Sequence, residues 1–329
     1  MSDIKFSSRR RTLQVLGALG ASAAWPQAAR AQAYPTRPIR LVVPYAAGGI
    51  ADVLGRLVAQ RLGPLMGQTV VVENRPGVGG HLGGAEVARS AADGYTLVLA
   101  TIAHNGATAM YRNLTYDPSR DLTPLVLLAE SAGALVVHPS VPVSSVREFV
   151  ALAKAQPGRL TYGSAGNGSA LHMAAELFEH LAGVKLSHVP YRGSGPALND
   201  LIGGQIQCMF DNLASSLQHI RSGRLKVLGV TSPQAQPSLP EVPPIGEAVP
   251  GYASVPWYTL SAPRGLPDDV VRRLNSELNA VVRSTELRER WEALGVTPVG
   301  GSVEDALRRN AVETERWTKV IRAAGIVAE

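Results

Sequence analysis

The first strong apolar run after residue 33 is Ile39-Arg40-Leu41-Val42-Val43-Pro44-Tyr45. Its length and β-branched content predict a short buried strand. Ala46-Ala47-Gly48-Gly49 follows, and then Ile50, Val53, Leu54, Leu57, Val58 and Leu62 recur at helical spacing. The segment reads as strand, glycine loop, helix. The pattern returns twice, as a strand over 69–73 with a helix after Gly84, and as a strand over 95–100 with a loop of small residues. Strands alternating with helices predict a parallel sheet with right-handed crossovers, an α/β lobe.

A long apolar stretch over 125–138 has room for two strands and can carry the chain into a second lobe. The spacing then predicts a helix over 146–155, a strand over 160–163, a helix over 170–181, a strand over 187–191 and a helix over 196–202. A strand over 207–211, a short helix to Arg221 and a strand over 226–230 complete this second α/β unit. The Pro-rich segment 232–250 bars regular helix or central strand and reads as an ordered crossing. Amphipathic helices over 267–280, 285–294 and 303–324 need a surface to cover. The economical arrangement returns them to the first lobe, giving lobe 1 as 34–131 plus 252–329 and lobe 2 as 132–251, with two chain crossings as a hinge.

The first 33 residues change the picture of charge. Lys5, Arg9, Arg10 and Arg11 precede a mild apolar run over 13–25 and the small residues Ala29, Ala31 and Ala33, the pattern of an export signal. Ser8-Arg9-Arg10-Arg11-Thr12-Leu13 resembles the twin-arginine motif, so that route is favoured over general secretory export, with the mature chain starting near Gln32 or Tyr34. The whole chain carries 32 basic and 26 acidic residues. The signal removes five of the first (Lys5, Arg9, Arg10, Arg11, Arg30) and one of the second (Asp3), leaving 27 and 25, a net of +2. That small charge, with no basic run, argues against a nucleic-acid partner. One cysteine, Cys208, allows no internal disulfide; its apolar neighbours mark it as a core thiol. No later stretch reaches the roughly 18 apolar residues of a membrane span, so the expected product is a periplasmic monomer.

The loops carry the candidate chemistry. Tyr45, Ala47, Gly48 and Gly49 lie between a strand and a helix, where backbone N–H groups at the helix N-terminus can meet an anion such as a carboxylate. Asp52 in the first helical turn reads as a cap of this loop. A second loop of the same design runs through Ser164, Ala165, Asn167 and Ser169, with Ser169 as a helix N-cap and His172 as a packing or capping residue. Two facing glycine loops can clamp one anion between lobes. Asp211 ends a strand, where open α/β sheets face their crevice, and Tyr191 begins a third strand-to-helix loop. Asp211 there disfavours a second ligand carboxylate and leans the reading toward an amine, amide or hydroxyl at that end.

The sequence lacks an enzyme's signature. No serine elbow surrounds Ser164, Ser169 or Ser194, and the seven histidines show no close metal-ligand spacing. Gly77-Val78-Gly79-Gly80-His81-Leu82-Gly83-Gly84 follows a strand, but Leu82 occupies the third glycine's place in a dinucleotide fingerprint. No cofactor or metal is implied. A secreted hydrolase using Ser164 or His172 stands as the rival of a different class.

At these loops the chain resembles the Bug family, the extracytoplasmic solute receptors associated with tripartite tricarboxylate transporters. The resemblance rests on Pro44-Tyr45-Ala46-Ala47-Gly48-Gly49 with Asp52, Val72-Glu73-Asn74-Arg75-Pro76-Gly77, Tyr162-Gly163-Ser164-Ala165-Gly166-Asn167-Gly168-Ser169 with His172, His188-Val189-Pro190-Tyr191-Arg192-Gly193 and Phe210-Asp211-Asn212. It implies a type II periplasmic binding protein of Venus-flytrap form. In it a small carboxylate is gripped by the first two loops, with Asp211 or Tyr191 at the ligand's far end, and handed to integral-membrane transporter subunits. An orphan receptor or a sensor subunit is the alternative. Ile50 and Thr101-Ile102-Ala103-His104 depart from the family's usual small or polar residues.

Overall fold

Strand β1 (Ile39–Val43) leads into helix α1 (Ile50–Met66). The two pack closely, since a Cβ on Gly55 of α1 would stand 2.7 Å from Val43 Cγ2. The computed structural model describes residues 34–328, so the expected export signal lies outside the described residues. After β2 (Val70–Asn74) a 3₁₀ turn (Val78–Gly80) opens helix α2 (His81–Ala88), and β3 (Thr96–Thr101) is followed by α3 (Ala103–Met110) and the single turn α4 (Pro118–Asp121). Strand β4 (Leu122–Ser131) closes this part of the chain, and β5 (Gly133–Val137) begins the next sheet after one intervening residue.

The second sheet is built from β5, α5 (Val146–Ala155), β6 (Thr161–Ser164), α6 (Ala170–Ala182), β7 (Ser187–Pro190), α7 (Ser194–Ile202), β8 (Cys208–Asn212), α8 (Leu213–Arg221) and β9 (Lys226–Val230). The chain then returns as β10 (Trp257–Pro263), α9 (Asp268–Arg283), α10 (Thr285–Ala293), β11 (Val296–Pro298) and α11 (Val303–Ala324). Sheet one has the order β11-β4-β10-β3-β1-β2 and sheet two the order β7-β6-β8-β5-β9. The fold is two-lobed α/β, with the C-terminal strands in the first sheet. Trp257, Trp291 and Trp317 of the returning segment are all buried.

Both sheets are mixed, where alternation predicted parallel ones. Pairing is parallel only within β2-β1-β3 and β7-β6-β8; β10 runs antiparallel to β3 and β4, and β5 antiparallel to β8 and β9. Strands β5 and β10 each arrive by a crossing between lobes instead of a helical crossover, so the constraint that keeps βαβ units parallel does not act on them. Two local expectations also change. Helix α2 starts at His81, before Gly84, because Gly79 (φ +61) and Gly80 (φ +102) supply the turn immediately ahead of it. The small residues after β3 form helix α3, since Ala103, Gly106 and Ala107 let α11 approach: a Cβ on Gly106 would meet Ile321 Cδ1 at 2.4 Å.

The two crossings run side by side. Ser131 N donates to Pro256 O (2.9 Å), Thr231 N to Gly133 O (2.8 Å), and Ser254 N to Thr231 O (2.9 Å). Between Thr231 and Ser254 the Pro-rich segment forms a 3₁₀ turn (Ile245–Glu247), one bridge to the end of β9 (Val230 with Pro244) and one within itself (Gln236 with Leu239). Paired backbone strands of this kind bend together, which suits a hinge.

Candidate functional site

Four helices begin at one cavity between the lobes. Gly49, Ile50 and Ala51 bring the start of α1, Ser169, Ala170 and Leu171 that of α6, Ser194 that of α7, and Asn212 that of α8; Tyr45, Thr101, Ala165, Pro256 and Tyr258 complete the lining. Three of these helices have no side-chain hydrogen bond at their N-cap (Gly49, Gly193 and Asn212), whereas Ser169 caps α6 by accepting from His172 N. A helix leaves its first N–H groups without intrahelical partners and carries a partial positive charge there. The lining holds no Lys, Arg, Asp or Glu. Its electrostatics are therefore set by backbone and hydroxyl dipoles, which favour an anion. The cavity of about 30 Å³ takes a carboxylate-sized group, since one water occupies about 10–15 Å³ on the same measure. A longer acid needs the lobes to part further.

The first loop is held from behind. Asp52 accepts from Gly48 N (3.2 Å) and Asn74 Nδ2 (3.0 Å) and pairs with Arg56 at 3.0 Å, while the same Asn74 amide donates to Tyr45 O (3.0 Å). Burial alone would raise the Asp52 carboxyl, but Arg56, Asn74 and the Gly48 N–H outweigh it and hold it below the usual range. The Tyr45 hydroxyl reaches Gly79 O (3.1 Å) and Thr101 Oγ1 (3.0 Å), and burial pushes it up to about 12 despite the Thr101 bond, so it stays a neutral donor. The Tyr258 hydroxyl is likewise pushed well above its usual value by burial and donates to Asn212 Oδ1 at 2.9 Å, from β10 of one sheet to β8 of the other.

Of the expected ligand residues the structure brings Tyr45, Gly49, Ala165 and Ser169 together at the cavity. Ala47 and Gly48 sit exposed at its rim. Ser164 lies behind the lining, fully buried, with its Oγ 2.6 Å from His188 Nε2. Asn167 and Tyr191 line an outer groove, and the Tyr191 hydroxyl donates to Asp200 Oδ2 at 2.7 Å. Asp211 is fully buried one residue away from the lining: Ser216 Oγ donates to its Oδ2 at 2.5 Å, its Oδ1 has no partner, and burial pushes the carboxyl up to about 7. Side chains alternate along a strand, so Asn212 takes the cavity position instead.

Residues that sequence reasoning did not assign to the ligand are Ser194, Pro256 and Tyr258, with Ala51, Ala170 and Leu171 of the apolar wall; Ile50, Thr101 and Asn212 were noted in the sequence but given no part in the grip. Ser194 had a usable signal, the Gly193-Ser194-Gly195 triplet before an apolar helix. Tyr258 had none, because nothing local marks a strand returning from another lobe.

His172 supports the second loop. Its Nδ1 accepts from Gly168 N (3.1 Å), its Nε2 lies 3.5 Å from Glu176 Oε1, and its ring stacks on His188 with centroids 4.3 Å apart. Burial opposes ionisation of Glu176, but His172 and the Tyr162 hydroxyl outweigh it and bring it down to about 2. His188 is pushed down to about 3 by burial and by His172, with Glu176 opposing.

Comparison with known proteins places this geometry. The sequence profile described as "Tripartite tricarboxylate transporter family receptor" matches residues 54–326. BugT of Bordetella pertussis is 35% identical over 318 residues, 96% of this chain and 98% of that protein. A protein encoded in the tcbD-tcbE intergenic region of Pseudomonas sp. (strain P51) is 38% identical over 97% of this chain and 95% of its own length. Among solved structures, Rpa4515 of R. palustris with adipate superimposes with a TM-score of 0.85 at 39% identity, covering 89% of this chain and 99% of that one. The periplasmic binding protein BugD gives 0.87 at 32% identity, covering 90% and 100%. MatC from Rhodopseudomonas palustris with bound malate gives 0.85 at 31%, covering 88% and 100%.

Proposed function

This chain belongs to the tripartite tricarboxylate transporter receptor family, and from that premise we propose that it captures a small linear carboxylic acid in the periplasm and delivers it to the membrane subunits of such a transporter. The observation that carries this reading is the meeting of four helix N-termini at a cavity lined by no charged side chain. Each helix end favours an anion by about 0.3–1 kcal/mol, more where water is excluded, and the leading N–H groups are donors that can point at a carboxylate. Tyr45, Gly49, Ala165, Ser169, Ser194 and Asn212 form the grip, with Asp52 and His172 holding the two loops. The two relatives with dicarboxylates bound, adipate and malate, support C4 to C6 dicarboxylates as the ligand class.

Asp211 weighs less against a second carboxylate than its sequence position suggests. It is buried behind Asn212, and a carboxyl pushed up to about 7 is not a fixed negative charge. We take the lobes as 34–131 plus 252–329 and 132–251, moving about the paired crossings, and the receptor as a monomer exported by the twin-arginine route.

Hydrolysis at Ser164 has less support. The Ser164–His188 pair has the right separation for nucleophile and base, but Ser164 is fully buried and a histidine held down to about 3 is a poor base at neutral pH. The test is a thermal-shift screen of the mature protein, stripped by unfolding and refolding, against mono-, di- and tricarboxylates, amino acids and aromatic acids. A ligand at 100 times its dissociation constant adds about 2.7 kcal/mol, so adipate or malate should raise the midpoint by several degrees. No shift with any acid overturns the proposal.

A further inference from the structure

Away from the cavity the lobes meet a second time, at a seam of glycines. Gly79 of lobe 1 lies so close to the ligand loop that a Cβ on it would stand 2.1 Å from Asn167 O and 3.0 Å from the Gly168 carbonyl carbon. A Cβ on Gly166 would meet Gly79 N at 3.4 Å, and one on Gly168 would meet the Tyr111 hydroxyl at 2.3 Å. Tyr111, at the end of α3, donates its hydroxyl to Asn167 O at 2.5 Å. Its ring packs edge-on against His81 with centroids 4.9 Å apart, and His81 Nδ1 is 3.0 Å from the Tyr116 hydroxyl.

The turn that carries Gly79 is itself under tension. Val78 is the only non-glycine residue with positive φ (+50) among the described residues, and at 53% exposure its apolar burial offsets only part of the strain. A β-branched residue in that region costs on the order of 1–3 kcal/mol and persists where surrounding contacts impose it. The same turn is tied to the cavity, because the Tyr45 hydroxyl donates to Gly79 O. The chain of contact therefore runs from Tyr45 in the cavity, through Gly79, to the 164–169 loop that supplies Ala165 and Ser169.

We propose that Tyr111 and the 77–80 turn form an interlobe clasp that positions the 164–169 loop over the cavity in the closed receptor and thereby sets how long a ligand is retained. The proposal rests on the two-lobed receptor reading but not on the identity of the acid. Tyr111 is a positioning residue: it touches the loop's backbone and does not line the cavity. Because the contact is made to a carbonyl and not to the ligand, its loss weakens all ligands alike and leaves their ranking unchanged.

The test pairs Tyr111→Phe with Gly168→Ala. The first removes one neutral hydrogen bond and keeps the ring; the second drives a methyl into the Tyr111 hydroxyl. Adipate dissociation is followed by stopped flow, and a spin label on each lobe, at Lys154→Cys and Glu289→Cys, reports lobe separation, the native Cys208 being buried. Tyr111→Phe is expected to speed release about fivefold, the size of one net hydrogen bond, to widen the interlobe distance distribution, and to leave the midpoint of ligand-free unfolding within about 2 °C. Gly168→Ala should cost more, and part of its loss should return in the Tyr111→Leu background, where the clash is gone. Unchanged release and unchanged lobe separation in Tyr111→Phe, or no rescue in the double variant, overturn the clasp. Failure of the wild-type protein to bind adipate would count against the proposed ligand class alone, and the clasp is then judged on the ligand-free distance distributions of the same variants.

Discussion

Tyr258 and Asn212 join the two sheets at the cavity wall: the Tyr258 hydroxyl, carried on β10, donates to Asn212 Oδ1, carried at the end of β8, at 2.9 Å. Both residues are buried, so neither group finds water when the partner is removed. Tyr258→Phe and Asn212→Leu should each cost about 1–3 kcal/mol, because each leaves the partner's buried polar group unsatisfied. Titration calorimetry with the best acid in the panel reads the effect. Asn212→Leu should also reorder the ligands, since Asn212 lines the cavity, and an unchanged order would remove it from the grip.

Gly49 and Ser194 give the sharpest steric prediction. A Cβ on Gly49 would stand 2.5 Å from Ser194 Oγ across the cleft, while its own backbone (φ −88) tolerates any residue. Gly49→Val should therefore fold normally and fail to close, weakening every ligand by about 1–3 kcal/mol with little change in the ligand-free melting temperature. Ser194→Gly in the same chain should restore part of the affinity. A loss confined to one ligand series would contradict the closure argument.

Asp211 should shape the pH dependence of stability. Its folded pKa is pushed up to about 7 by burial, with the Ser216 hydroxyl and the Asn212 backbone opposing, from an ordinary value near 4. The folded state thus holds a proton that the unfolded chain releases, so this residue's contribution is fully present below about pH 4 and lost as pH rises through 7. Asp211→Asn, which keeps a neutral polar group in place, should gain stability relative to wild type between pH 4 and pH 8, on the order of 4 kcal/mol. Denaturant unfolding across that range checks it; a constant difference would show that Asp211 is ionised throughout.

The glycine loops at 46–49 and 164–169 were legible as strand-to-helix loops at a helix start because their chemistry is local: small residues between a strand and an apolar helix free the first N–H groups whatever surrounds them. The same local character made the helix over 146–155 and the strand over 226–230 readable residue for residue. Asp52 as the cap of its own loop belongs to this class, four residues from the Gly48 N–H it accepts. The Gly77-Val78-Gly79-Gly80 stretch stood out only as an incomplete dinucleotide fingerprint; its turn and its role as the surface met by the other lobe were not legible.

Tertiary structure settled what depends on which faces meet. Asp211 and Asn212 are adjacent, both polar and both at a strand end, and only the packing of β8 beside β5 decides that Asn212 faces the cavity and Asp211 the core. Tyr258 reaches the site from a strand that joins its sheet antiparallel after the second crossing, a placement that no hydrophobic period encodes, because the period reports that a face is buried and not what buries it. The chain by itself determined two α/β units and the glycine loops that open their helices, since those follow from nearest neighbours along the backbone. The pairing of Tyr258 with Asn212, of Gly49 with Ser194 and of Tyr111 with Asn167 arises only when the lobes close, since each joins residues on different lobes.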